Sequence, residues 1–481
     1  MNASKRTILT KTDIQLIHEA TLEVLSRSGV VFQSQDALEL FKKAGCRIDG
    51  DRVFITKSFL EEKLKNCPKE IALKSRNTAQ DIRIGDGKKY MIPMTWALYI
   101  HDRDGKRRRA EAKDAVRIYK LTQCSDMFSL IGSKAVSAGD ITEEQQVHFE
   151  MASVLSLTDK ALLGHAQNGK SAEASIRWAR CVFGNEPSPF ILGILNVNTP
   201  LTYDPDAIDT LKTYVTSGQA ACITSCAHTG VSAPVTLAGT LAVSNAELLA
   251  GIILAQLYQE GAPVIYGNVS CAGDMRTMGL ACGAPESALL TQAASELAKF
   301  YGLPSRGGCL VNDAIAPDIQ AGYESMMYMN GVLSSEIDLV MHSAGVLESF
   351  MTFSFEKFII DEEIFNYANR IARGIEVSPE TLAVDEIVKI GPMGSFLASK
   401  HTRKYFRTEL TRPLVSNRDP YDKWVIQSKN IIEAAQNTWE KRLAEYQKPS
   451  AALDEKTVEA IWTKEFGGES AFITNILKKG N

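Results

Sequence analysis

Apolar positions in residues 12–27, TDIQLIHEATLEVLSR, fall at Ile14, Ile17, Thr21, Val24 and Leu25, with Ala20 widening the stripe. That spacing predicts one buried face of a helix. A second short helix is expected over 35–44, and a third over TKSFLEEKLKNCP (56–68), stopped by Pro68. Residues 1–82 are therefore expected to form an N-terminal helical cap. KYMIPMTWALYIHDRDGKRRRA then has strand composition around a DRDG turn, the signal of a hairpin.

From about residue 110 to 375 one pattern repeats: short apolar runs alternate with amphipathic segments. The runs are DMFSLIGS, ALLGHAQN, PFILGILNVN, AACITSCAH, PVIYGNVS, PSRGGCLVND and DLVMHSAG, and KYMIPM supplies an eighth. A helix such as SNAELLAGIILAQLYQEG (244–261) falls between two of them and ends on Gly261. Continuous apolar runs mark strands buried on both faces, which pair in parallel. Eight such strands predict an α/β fold, a (β/α)8 TIM barrel over residues 83–375. No GxGxxG follows any strand, which removes the main support for a dinucleotide-binding sheet. Residues 376–481 form a more polar extension, with a long helix over about 424–447, expected to pack on the barrel or on a partner subunit.

Composition narrows the class. The 481 residues are 45% hydrophobic and 23% charged, with a formal charge of −4. A mildly acidic chain of this kind has no general reason to bind nucleic acid or an anionic membrane. The basic run KRRRA (106–110) lies in the hairpin and reads as a solvated turn or a subunit contact. The first residues lack the apolar core of a signal peptide, and no run of about 18 apolar residues occurs. Nine cysteines without a paired framework predict reduced thiols and a cytoplasmic location.

Chemistry in such a barrel sits at the C-terminal strand ends. Here six consecutive strands end in polar groups: His165, Gln167 and Asn168; Asn196 and Asn198; Cys226 and His228; Asn268 and Ser270; Asn312 and Asp313; and His342. Aromatic residues expected near the same level include Tyr90, Trp96, Phe350, Phe353 and Phe355. In ESFMTFSFEK, Phe353 and Phe355 alternate with small polar residues just past the last strand, where a pocket wall is expected. Aromatic faces beside acidic groups suit a quaternary ammonium ligand. There is no GxSxG elbow, HExxH, CxxC or Walker loop. Cys226 and His228, with Cys271 and Cys309 on later strands, keep a zinc-activated thiol open as an alternative.

Four stretches carry a family resemblance: APVTLAGTLAVSNAELLAGIILAQLYQEGAPVIYGN (233–268), DMRTMGLACGAPESALL (274–290), YGLPSRGGCLVNDAIAPDIQAGYES (301–325) and LESFMTFSFEK (347–357). Together they resemble the trimethylamine methyltransferase family, from the N-terminal helices to about residue 445. The resemblance implies a (β/α)8 barrel that moves a methyl group from a methylamine to the Co(I) of a separate corrinoid protein. The founding members carry pyrrolysine, whereas every position here is a standard residue. The chain is thus similar to the non-pyrrolysine branch, whose characterised members demethylate glycine betaine, proline betaine, carnitine and γ-butyrobetaine.

Under that reading the partner's corrinoid supplies the nucleophile, no tightly bound metal is expected, and the pocket only binds and aims. The trimethylammonium is expected against Trp96, Phe353 and Phe355, with Asp313 or Glu348 as counter-charges. His165, Asn196, His228 and His342 are the candidate donors to a substrate carboxylate, and Tyr90, Asn268 and Asn312 complete the expected wall. Asp318, Gln320 and Tyr323 read instead as the opening of a helix. If Asp313 and Glu348 both face the ligand they repel a betaine carboxylate; if they are paired elsewhere, a betaine is comfortable. The competing readings are a zinc thiol methyltransferase using Cys226 and His228, a barrel lyase or hydrolase with His228 or His342 as base, and a non-catalytic binder. Self-association is expected of a barrel this size.

Overall fold

The computed structural model describes all residues except 1–5, 133, 309, 428, 429 and 479–481. Eight parallel strands order the barrel: β1 (Tyr90–Met91), β2 (Leu130–Ile131), β3 (Ala161–Leu163), β4 (Ile191–Asn196), β5 (Ala220–Ser225), β6 (Val264–Asn268), β7 (Ser305–Gly308) and β8 (Leu339–Met341). Neighbours in the chain are neighbours in the sheet, and β8 pairs with β1. The ring closes where Met91 bridges Phe128, just ahead of β2, with Ser129 N donating to Met91 O at 3.0 Å.

One helix follows each strand: α1 (Ala112–Gln123), α2 (Glu143–Leu157), α3 (Gly169–Phe183), α4 (Pro205–Thr216), α5 (Leu237–Tyr258), α6 (Pro285–Phe300), α7 (Ile319–Leu333) and α8 (Phe355–Arg373). Most begin on a side chain that accepts from the first turn, as Asp204 does from Ala207 N at 2.7 Å. Among the described residues α5 alone is long and apolar enough to cross a membrane, and 78% of its apolar window is buried inside the barrel wall.

Strand and helix meet closely where glycine allows it. A Cβ on Gly193 of β4 would lie 2.2 Å from the Tyr214 ring, and one on Gly164 would lie 2.1 Å from the Tyr214 hydroxyl. Tyr214, fully buried on α4, uses that space to donate to the His165 carbonyl at 2.7 Å.

The N-terminal end of the barrel is stopped by an antiparallel hairpin, Ile71–Leu73 with Ile82–Ile84. Its side chains form one apolar layer with the strand interiors, including Leu163 and Met341. The first 82 residues depart from the helical cap that the pattern predicts. Helices Lys11–Glu23, Gln35–Lys43 and Lys57–Leu64 alternate with strands Val30–Phe32, Arg47–Asp49 and Arg52–Phe54, which form one small sheet with Thr202–Tyr203, paired to Val30–Phe32. Strands of three residues are too short for an alternation to register in the sequence.

Past α8 come four short helices, α9 (Pro379–Leu382), α10 (Val384–Ile390), α11 (Lys400–Glu409) and α12 (Tyr421–Gln427), then α13 (Ile431–Ala444), α14 (Glu455–Phe466) and α15 (Ser470–Lys478). The helix expected over about 424–447 is thus two helices. α13 returns to the barrel, where Trp439 Nε1 donates to Glu356 at 3.0 Å and its ring lies 5.0 Å from Phe355. α14 packs on α2 and α3 through Trp462 and Phe466, both within 5 Å of the His148 ring.

Candidate active site

Above the hairpin floor the barrel holds a cavity of about 430 Å³, open at the C-terminal strand ends and walled by residues from all eight strands or the loops that follow them. This is the size range of small-ligand sites. Leu163 and Met341, shared with the floor layer, form its base. Trp96 and Met351, 41% and 40% exposed, stand at the mouth.

Arg306 dominates the interior. It lies within β7, only 5% exposed, and reaches into the cavity. Its Nε and Nη1 have no hydrogen-bond partner among the described residues, and its one polar contact is Nη2 at 3.5 Å from His342 Nε2. Burial lowers its pKa from the ordinary value, but a guanidinium stays cationic. A buried unpaired cation costs several kcal/mol, so the site is built to receive an anion. Lys134 adds a second positive charge to the wall, its Nζ 5.8 Å from the Trp96 ring centroid. No Asp or Glu lines the cavity among the described residues.

His342 is held neutral. Burial, reinforced by the Arg306 charge, brings its imidazole down to about 3. With Nε2 accepting from Arg306, Nδ1 carries the proton and is an unpartnered donor. Phe350 meets the His342 ring edge-on at 4.8 Å. Trp96, His342 and Phe350 all have positive φ, at 70°, 56° and 77°. Non-glycine residues rarely adopt this region, and three such residues around one cavity mark a backbone shaped for the site. Trp96 is pinned there by its N–H donating to Lys134 O at 2.8 Å.

Of the twelve residues expected in the pocket, the structure brings Trp96, Asn196 and His342 to the cavity wall and leaves nine outside it. Tyr90 sits at the floor end of β1, its hydroxyl donating to Asp86 at 2.9 Å. His165 turns outward, with Nε2 2.6 Å from Glu150 on α2. His228 faces Gly279 O at 3.1 Å. Asn268 donates to Ser244 at 3.0 Å, and Asn312 to Val346 O at 2.9 Å. Asp313 accepts from Gly283 N at 3.0 Å and from the Ser349 hydroxyl at 2.5 Å. Glu348 pairs with Arg107 at 2.8 Å. Phe353 and Phe355 pack into the core beside α8, rings 5.1 Å apart. The polar groups at the strand ends thus turn to rim loops or neighbouring helices rather than to a ligand. Asp318 caps α7, accepting from Ala321 N at 3.2 Å, the helix opening its sequence predicts.

The sequence reading passed over Arg306, Lys134 and Thr95, and Phe350 takes the place given to Phe353 and Phe355. A signal existed for Arg306: a lone charge inside PSRGGCLV, a run buried on both faces.

Among the described residues, the zinc-thiol and barrel-base readings find no supporting geometry. Cys226 lines the cavity, but desolvation by the surrounding wall pushes its thiol up to about 11, and His228 is directed away from it. Cys309 lies outside the described residues, and among the described residues no three His, Cys, Asp or Glu side chains converge as a metal would require. A His342 that protonates only near 3 is a poor general base at neutral pH.

The model of a family described as trimethylamine methyltransferase (MTTB) matches residues 2–466. The glycine betaine methyltransferase of Desulfitobacterium hafniense (strain Y51) is 38% identical over 455 residues, 94% of each chain. The proline betaine:corrinoid methyltransferase of Eubacterium limosum is 32% identical over 465 residues, 93% of this chain and 95% of that one. The trimethylamine methyltransferase MttB of Methanosarcina barkeri (strain Fusaro / DSM 804) is 32% identical over 466 residues, 93% and 92% of the two chains. The crystal structure of the Methanosarcina barkeri monomethylamine methyltransferase (MtmB) superposes with a TM-score of 0.51 at 12% identity, over 92% of this chain and 94% of that one, and shares the fold.

Proposed function

From a chain that belongs to the trimethylamine methyltransferase family, we propose an enzyme that takes a methyl group from a betaine and passes it to the Co(I) of a separate corrinoid protein. The observation that carries the choice of substrate is Arg306, a buried guanidinium with two open nitrogens in a cavity whose described lining has no carboxylate. Two cations in the wall repel a bare ammonium, whereas a zwitterion brings its own counter-charge. Asp313 and Glu348, the groups that would repel a betaine carboxylate, are paired elsewhere.

Depth sets the orientation. The carboxylate goes down to Arg306, with the Nδ1–H of His342 and the Asn196 amide as further donors. Each charge-assisted hydrogen bond there is worth about 1.5–3 kcal/mol. The trimethylammonium then lies higher, against Trp96 and Phe350, where a desolvated cation–π contact contributes about 2 kcal/mol. This points one N-methyl at the mouth.

The Co(I) centre supplies the nucleophile in such a transfer. The C–N electron pair stays on nitrogen, so the departing tertiary amine is neutral and needs no general acid. The chain's own residues hold the substrate, exclude water and fix the line of attack. The mouth accommodates a protein-borne acceptor: it is open, and Val231, Val235, Met275, Met278 and Ile315 stand exposed on the loops around it. A reducing cytoplasm suits both Co(I) and the eight described cysteines, all free thiols.

The test mixes the enzyme with a reduced corrinoid protein and a panel of methylated amines, following loss of the Co(I) absorbance. Conversion with a betaine and not with trimethylamine is expected. Arg306→Met is expected to raise KM for the betaine by about 10- to 150-fold, the loss of one charge-assisted contact. Equal turnover of trimethylamine, or an unchanged KM in the variant, would overturn the betaine assignment.

A further inference from the structure

Thirty large apolar side chains are exposed among the described residues, and eighteen of them lie between Ile371 and Ile431. Val388, Leu397 and Ile426 are 75%, 84% and 84% exposed. α9, α10 and α11, of 4, 7 and 10 residues, contain no buried residue. Helices this short do not hold themselves in water; packing of an apolar face must do it. Within this chain, the apolar faces of α9–α11 have no core to pack on.

The segment is nevertheless fastened to the helix it leaves, through residues 409–418. Arg370 and Arg373 of α8 reach Glu409 at 3.0 and 3.3 Å. Glu363 accepts from Val415 N and Ser416 N, and Arg418 meets the Tyr367 hydroxyl at 3.4 Å. Residues 374–431 thus form an anchored arm with an uncovered apolar surface.

At about 60–120 Å² for each exposed apolar side chain, the arm offers on the order of 1,000–2,000 Å². A monomer's largest apolar patch is about 300–600 Å², and a standard protein interface takes about 800 Å² from each partner. The summed exposure of the arm reaches the area that one partner of a standard interface buries. It also carries both signs of charge, Asp385 and Glu386 on α10 and Lys400, Arg403 and Arg407 on α11. A two-fold interface presents the same patch from each side, so a patch bearing both signs can be complementary to itself.

The corrinoid carrier is the competing occupant, and topology argues against it. α8 starts at Phe355, directly after the rim strand Thr352–Phe353, and its 19 residues run about 28 Å away from the mouth. The arm is tied to that helix from its middle, at Glu363, to its far end, at Arg373. A carrier delivering cobalt to the mouth does not cover it.

We propose that residues 374–431 are the surface through which two copies of this chain pair. Sedimentation velocity across a dilution series is expected to give twice the 52.8 kDa of one chain at micromolar concentration. The double variant Val388→Glu, Leu397→Glu is expected to weaken pairing at least tenfold. Hydrogen exchange on the unaltered protein checks the same point without a variant, since amides in 374–431 should lose protection as the protein is diluted. A single-chain mass at every concentration would overturn the proposal, as would a double variant that keeps the paired mass. Arm protection that appears only on adding the corrinoid carrier would assign the surface to that protein instead.

Discussion

At position 306 an arginine sits inside a barrel strand, between Ser305 and Gly307, where the pattern calls for an apolar side chain. Its charge also acts on its neighbour. His342 stays neutral in the folded protein down to about 3, while an unfolded chain takes up that proton near 6.5. Between those values the unfolded state binds more protons, so falling pH drains stability from the folded state. Relative to His342→Gln, the wild type should therefore lose stability as the pH falls from about 6.5 toward about 3. Urea denaturation at a series of pH values reads this difference, and parallel curves would show that His342 is not buried beside a cation. Trp96, Asn196 and His342 were legible because strand ends are where such barrels keep their chemistry. Asn268 and Asn312 look the same in the sequence but spend their amides on Ser244 and on the Val346 carbonyl. Nothing local distinguishes the two fates, because the difference lies in which way a side chain turns after a strand. Arg306 escaped for the opposite reason: it lies inside a strand, where only its mismatch with the apolar run marks it.

Elements were easier to read than residues. All eight barrel strands lie inside the apolar runs that predict them, and the DRDG turn joins Tyr99–His101 to Arg107–Arg109 as expected. Burial on both faces leaves a strong, continuous signal. The three-residue strands of the N-terminal region leave almost none. Helix-to-strand fit sets the tightest constraint at this scale. Gly193→Ala places a methyl group 2.2 Å from Tyr214, which must move and loosen its bond to the His165 carbonyl. A destabilisation of about 1–3 kcal/mol is expected, measured by equilibrium denaturation. An unchanged midpoint would mean that α4 can shift outward at little cost.

The whole molecule combines a site at one end of the barrel with an anchored arm tied near the other. The barrel was legible from strand count and periodicity. The arm was not, because ASKHTRKYFRTELTRPLVSNRDP is polar enough in sequence to read as solvated loop, and its exposed apolar groups stand out only once the fold shows what fails to cover them.

The hairpin that stops the barrel floor has a consequence for the order of events. With Leu163 and Met341 sealing the base, a betaine and a carrier protein acting as proposed must use one doorway. A carrier that arrives first shuts the betaine out, and the demethylated amine stays trapped until the carrier leaves. Turnover should then follow a compulsory sequence: betaine on, carrier on, carrier off, amine off. Steady-state inhibition should show the tertiary amine competing with the betaine but not with the carrier. Competition with both would mean that a second exit exists.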